Sequence, residues 1–140
     1  MVKTLRAMEN DHCVICGQEN SDGLMINYTV LPDGKIFGQW IPSIKYEGFK
    51  GIIHGGLLST VIDEAMSKSI IAQHIEALTV ELKVRFHHYA EPDELLNIHG
   101  WIVSKNKRKI LTEGILETES GEEIAHGWGT FLTILCSRDG

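Results

Sequence analysis

Residues 51 to 67 read Gly-Ile-Ile-His-Gly-Gly-Leu-Leu-Ser-Thr-Val-Ile-Asp-Glu-Ala-Met-Ser, so His54, flanked by glycines, opens a mostly apolar helix that carries Asp63 and Glu64 two turns inside. A helix start presents unpaired N–H groups and a partial positive charge that hold a developing anion, and bare glycines let a ligand approach. A carboxylate nearby can take a proton from water or attack a carbonyl. The pattern therefore offers Gly55, with Gly56 beside it, as oxyanion donor and Asp63 as general base or nucleophile.

The two carboxylates separate on a helical wheel. Glu64 points about 100° away from Asp63 and stands one turn before Lys68, which an ordinary surface ion pair explains. Asp63 has Ser67 at the same offset and a poor helix propensity, so it needs another role. It lies on a narrow stripe of small and polar residues, Gly56, Ser59, Asp63 and Ser67, suited to close approach by a ligand or a second chain. His54 either hydrogen-bonds a substrate or fixes the loop ahead of the helix.

The elements that must position these groups follow from periodicity. From Gly55 to about Ala72, residues Leu57, Leu58, Val61, Ile62 and Ala65 share one broad face, as in a helix packed on a sheet. Before it, Gly23 to Leu31 alternates, Pro32-Asp33-Gly34 turns, and Lys35 to Ile41 returns, the signature of a hairpin. After it, strands are expected at Leu78–Phe86, Leu95–Val103, Ile110–Leu116 and Glu122–Leu135, in which Leu78, Val80, Leu82, Val84 and Phe86 alternate with polar residues. The connections are too short for crossover helices, so neighbouring strands should be antiparallel. The expected order is β-β-α-β-β-β-β: an α+β fold, one long helix against a curved antiparallel sheet, whose long edges favour pairing with a second copy.

The 140 residues, 43% hydrophobic, suit a single domain over 1–140 with an N-terminal arm at 1–22. A formal charge of −6 argues against a nucleic-acid partner, and no apolar run is long enough to span a bilayer. The chain reads as cytoplasmic, with its three cysteines, Cys13, Cys16 and Cys136, reduced. Cys13 and Cys16 have metal-knuckle spacing but no second pair follows, so small buried thiols in an ordered arm are expected, with no metal and no cofactor; zinc shared between subunits, or redox chemistry, is the alternative. His74, His87, His88, His99 and His126 show no ligand spacing and are read as structural or solvated. Trp40, Trp101, Trp128 and Phe49 are read as core rather than as an acyl pocket.

Taken together, Gly51-Ile-Ile-His-Gly-Gly56 with Asp63, Thr79-Val-Glu-Leu-Lys-Val-Arg-Phe86, Cys13-Val-Ile-Cys-Gly17 with Gly23-Leu24, and Ala125-His-Gly-Trp-Gly-Thr-Phe131 resemble the phenylacetate-degradation-type (PaaI-like) branch of the hotdog-fold thioesterases. The resemblance covers nearly the whole chain. It implies a sheet of five to six strands wrapped around the central helix, a homodimer or homotetramer with sites at the subunit interface, and hydrolysis of acyl-CoA thioesters. By position, Gly55 matches the glycine whose N–H polarises the thioester carbonyl and Asp63 the catalytic carboxylate. Thr79 matches a hydroxyl that orients the water or the carboxylate. Several relatives carry Asn where this chain has Gly48. The basic run Lys105–Lys109 is read first as a solvated hairpin turn, and Lys107 and Arg108 within it are the candidates for holding the coenzyme A phosphates. A non-catalytic acyl-CoA binding or sensing domain is the alternative; an acyl-CoA dehydratase fits less well, because the paired His and acidic signature is missing.

Overall fold

In the computed structural model, which describes residues 13, 15–21 and 23–134, the elements run β1 (Tyr28–Val30), β2 (Ile36–Trp40), a 3-10 turn (Ile44–Tyr46), α1 (Gly55–Ile71), β3 (Ala77–Phe86), β4 (Leu96–Asn106), β5 (Lys109–Thr118) and β6 (Glu123–Thr133). The expected element order is observed, and the first hairpin strand is shorter than its alternation suggests. Cys136, residues 1–12 of the arm and Leu135 lie outside the described residues. All six strands join one antiparallel sheet in the order β1-β2-β4-β5-β6-β3, the helix-wrapping hotdog arrangement. Among the described residues no helix is long and apolar enough to cross a membrane.

Chain neighbours pair everywhere after the helix except between β3 and β4. The intervening segment is held elsewhere: His87 and His88 donate backbone N–H groups to Ile124 O, Ala90 O accepts from Ile53 N, and Asp93 N donates to Pro42 O. The segment thus carries the chain from one end of the sheet toward the other, under the loop that precedes α1. The short Glu91-Pro92-Asp93 stretch is not a hairpin turn.

Helix α1 buries Leu58, Val61, Ile62, Ala65, Met66 and Ile70 against the sheet, as the wheel predicts, while Leu57 is only half-buried. Its seat is a row of glycines in register across three strands, Gly100, Gly114 and Gly127. A Cβ at Gly100 would lie 2.6 Å from the backbone carbon and oxygen of Ala65, and at Gly114 and Gly127 only 2.8 and 2.7 Å from Ile62 Cγ2. The helix rests on bare sheet backbone, which sets its depth and angle.

The apolar alternation through β3 is not continuous. Register against β6 shifts between Thr79 and Glu81, leaving Val80 as an extra residue in a bulge. Thr79 pairs with buried Phe131 before the bulge, whereas Leu82, Val84 and Phe86 pair with Gly129, Gly127 and Ala125 after it. Since paired residues share a face, Thr79 and Phe86 both face the helix, and Leu78 and Val80 leave the set expected from sequence. Among the described residues strand β3 pairs only with β6, and Leu78 and Val80 are 60% and 55% exposed.

The outer sheet face carries an aromatic and histidine layer. His126 stacks on Trp128 and accepts or donates at 3.0 Å with Glu113, and His99 meets Glu117 at 2.9 Å. His87 and His88 face Glu123 and Glu122, each at 3.1 Å. Trp40 is core, while Trp101 and Trp128 are half-buried on this outer layer, covered by the Lys35 and Lys83 ammonium groups.

Candidate active site

The helix start is built by a folded loop. Glu47 pairs with Ile53 in an isolated bridge, His54 N donates to Tyr46 O, and the Glu47 carboxylate accepts from Gly51 N, where φ is +78°. Gly48 packs on His54: a Cβ added there would lie 3.3 Å from the His54 Cα. Tyr46 packs on Trp40. His54 caps the helix: its Nδ1 accepts from Gly56 N at 2.9 Å. That bond places the imidazole proton on Nε2 and occupies the Gly56 N–H. The Gly55 N–H, in contrast, donates to no group among the described residues.

A cavity of about 660 Å³ opens beside this helix start, lined by Phe49, Ile52, His54, Gly55, Ser59 and Phe86 among others. Phe49, expected in the core, is exposed at its rim, and the Phe86 ring lies 3.5 Å from where a Gly55 Cβ would sit. Here the bulge at Val80 matters, because it turns Phe86 inward. The pocket wall is mostly apolar, with the His54 and Ser59 side chains as its polar groups beside the helix start.

Asp63 occupies a second cavity of about 320 Å³ farther along α1, with Thr79, Ser67 and Phe131 in its wall. The Thr79 hydroxyl donates to Asp63 Oδ1 at 2.9 Å, while Oδ2 accepts nothing from the described residues. Burial pushes the Asp63 carboxyl above the usual Asp range, the Thr79 hydrogen bond pulls the other way, and the neighbouring Glu64 charge raises it further. The result is a half-buried carboxylate with raised basicity and one free oxygen. At about 1.5 Å per residue, Gly55 and Asp63 of one chain stand about 12 Å apart along the helix axis.

Glu64, which the sequence places in a surface ion pair, meets two cysteines of the arm. Its Oε2 accepts from Cys16 Sγ at 3.1 Å and lies 4.0 Å from Cys13 Sγ, half-buried beneath the arm. Burial, then the Glu64 charge, pushes the Cys16 thiol up to about 12. Spacing along the chain gives no hint of this meeting, because Cys13 and Cys16 reach the helix from a distant stretch of sequence. Phe86 was likewise missed as a pocket residue, since an alternation pattern does not reveal a bulge.

The remaining candidates stand apart from both cavities. Lys107, at φ +59°, forms the exposed tip of the β4–β5 hairpin, Arg108 donates to Thr133 O at 3.0 Å, and Lys105 donates to Gln73 Oε1 at 2.7 Å near the C-terminal end of α1.

Comparison with known proteins agrees with this architecture. The family model for the thioesterase superfamily matches residues 50–125, more than half of the 140-residue chain. The thioesterase superfamily protein RHA08564 is similar in structure, with TM-score 0.83, 27% identity, and coverage of 87% of this chain and 63% of that one. Protein BH2602 from Bacillus halodurans, crystallised with CoA, has TM-score 0.72 and 25% identity over 80% of this chain and 76% of its own. PaaI from the E. coli phenylacetic acid degradation operon shares the fold, with TM-score 0.75, 15% identity, and coverage of 80% and 81%. An uncharacterised mitochondrial protein of Candida albicans (strain WO-1) is 30% identical over 70 residues, 49% of this chain but only 31% of that protein. The chain therefore spans about a third of that curated relative and less than two thirds of RHA08564. By the match across its helix and strands, the chain belongs to the thioesterase superfamily, with the hotdog fold it shares with PaaI.

Proposed function

We propose that this chain hydrolyses acyl-CoA thioesters, in the manner of the PaaI-like branch, at sites formed between two copies. The observation that carries the reading is the separation of its two chemical ends: a carboxylate held by Thr79 at 2.9 Å on the small-residue helix stripe, and, about 12 Å away, a Gly55 N–H with no acceptor among the described residues. These are too far apart to act on one carbonyl within a protomer. A two-fold pairing through the exposed β3 edge and the Gly56–Ser59–Asp63–Ser67 stripe brings Asp63 of one copy toward Gly55 of the other.

In that arrangement the thioester oxygen points at the Gly55 N–H and the positive end of α1, which stabilise the oxyanion. Asp63 takes a proton from water as its oxygen attacks the carbonyl carbon; collapse expels CoA thiolate, which receives the proton. The alternative is direct attack by Asp63, giving an anhydride that water opens. Thr79 orients the carboxylate by occupying Oδ1. Gly56, its N–H taken by His54, is not assigned to the oxyanion; His54 contributes the cap and an Nε2–H at the pocket wall. Lys107 and Arg108 are assigned to the nucleotide phosphates.

Two relatives support the reading: BH2602 was crystallised with CoA, and a Streptococcus pneumoniae thioesterase, 16% identical, was also solved with coenzyme A. That S. pneumoniae protein was studied with an Asp→Ala and a Thr→Ala change in its chain whose spacing equals the 16 residues between Asp63 and Thr79. A thiol-release assay across short, aromatic and long-chain acyl-CoAs tests it. Release that D63N abolishes supports hydrolysis. Tight acyl-CoA binding with no release from any ester would overturn it in favour of the sensing domain.

A further inference from the structure

The arm and the helix meet at three metal-ligand atoms that the catalytic reading does not use. Cys13 Sγ, Cys16 Sγ and a Glu64 carboxylate oxygen all lie within 4.8 Å of one another. We propose that Cys13, Cys16 and Glu64 bind one thiophilic divalent cation of the Zn²⁺ type, which clamps the N-terminal arm onto α1.

Geometry supports this assignment in three ways. A tetrahedral ion with bonds of about 2.3 Å to sulfur and about 2.0 Å to oxygen sets sulfur and oxygen ligands about 3.5 Å apart. The two Glu64 Oε2 to thiol distances, 3.1 and 4.0 Å, straddle that value. The cysteine loop is also already shaped as a turn around its first thiol: Gly17 N donates to Cys13 O at 3.0 Å, and Ile15 N donates to Cys13 Sγ at 3.4 Å. An N–H donor to a sulfur orients it, the outer-sphere support expected of a ligating sulfur.

The turn is fixed to the body of the protein rather than trailing from it. Ile15 is 4% exposed in the core, and its carbonyl accepts from Ile26 N at 2.8 Å. Glu64 is fixed by the helix. The ligands therefore need little rearrangement to close on an ion, which limits the ordering cost of binding. A lone Cys-x-x-Cys was half a site in sequence; the fold supplies the third ligand from residues 48 positions away. The fourth position of the tetrahedron falls to water.

The balance of the binding step is simple. Each thiol releases its proton to solvent as its sulfur ligates, Glu64 enters as carboxylate, and no electron is transferred. Both thiols and Glu64 wall the same 320 Å³ cavity as Asp63 and Thr79, so the clamped arm forms one side of that cavity.

The test uses the full chain, reduced, stripped with chelator and dialysed. Titration with Zn²⁺ against a chromogenic chelator should give one equivalent per chain, and Co²⁺ should produce a thiolate-to-cobalt charge-transfer band. C13S and C16S should each lower metal affinity by at least about 100-fold and abolish the band, and E64Q should weaken binding by about 10-fold or more. The wild-type cobalt spectrum decides the matter even if a cysteine variant fails to fold. No stoichiometric uptake, no thiolate band, undiminished uptake in a folded C13S/C16S double variant, or a Cys13–Cys16 disulfide that forms under reducing conditions and excludes metal would each overturn the proposal.

Discussion

Thr79 and Phe86 face the same side of β3 although an odd number of positions separates them, because the bulge at Val80 shifts the strand by one residue between them. In an unbroken strand, a hydroxyl directed at Asp63 would send residue 86 outward. The bulge lets one strand support both ends of the candidate site: Thr79 at the carboxylate and Phe86 against Gly55. Deleting Val80 should therefore cost activity out of proportion to stability. Acyl-CoA turnover should fall at least about 100-fold in a protein that still folds, measured by thiol release beside circular dichroism. Unchanged turnover would show that this register is not needed.

Asp63 links chemistry and pH. Replacing it with Asn should lower kcat by about 10²- to 10⁴-fold, the usual span for loss of a general base. In the wild type, kcat/KM should fall on the acid side with an apparent pKa above the ordinary Asp value of about 3.9. Stability should move the other way. Burial raises the folded-state pKa above the unfolded one, so the carboxyl favours folding below the unfolded value and that contribution is lost as pH rises through the folded value. D63N should thus melt higher than wild type near neutral pH, with the gap closing toward about pH 4. A D63N protein that melts lower at neutral pH, with no pH trend, would contradict this account.

The His54 cap should be separable from catalysis. H54A removes the acceptor for Gly56 N and should cost about 1 kcal/mol of stability, while H54N or H54D should restore most of it, as urea midpoints would show. If H54N recovers stability but not kcat, the Nε2–H contributes to turnover beyond the cap.

The glycine row predicts an asymmetry. At Gly100 an added Cβ meets the Ala65 backbone at 2.6 Å, whereas at Gly127 it meets the Ile62 side chain at 2.7 Å. Backbone cannot swing aside, so G100A should cost more than the ordinary overpacking range of about 1–3 kcal/mol, and G127A should fall within it. Truncating Ile62 to Ala removes the Cγ2 that an added Cβ would meet, so G127A should cost less in an I62A background than in the wild type, and G100A no less. Denaturant titration of the four variants checks this.

Neutralising Lys107 and Arg108 should raise KM for acyl-CoA several-fold and leave short thioesters without the nucleotide unaffected. An equal loss on both substrates would remove these residues from phosphate recognition.

Much of the architecture is legible in the chain because periodicity is a local property. The apolar face Leu58–Val61–Ile62–Ala65 and the hairpin turn Pro32-Asp33-Gly34 each follow from residues a few positions apart, and so does the stripe bearing Asp63. The Gly55 helix start is local as well, since its donors belong to one turn of backbone. Tertiary structure alone decided the rest. It placed β3 beside β6 rather than β4, turned Phe86 inward through one extra residue, and brought Cys13 and Cys16 onto Glu64. It also committed His54 to its own helix and left the Gly55 N–H without an acceptor among the described residues. Each of these depends on which distant backbone occupies a given edge or surface, and that is settled by packing of the whole helix on its glycine row.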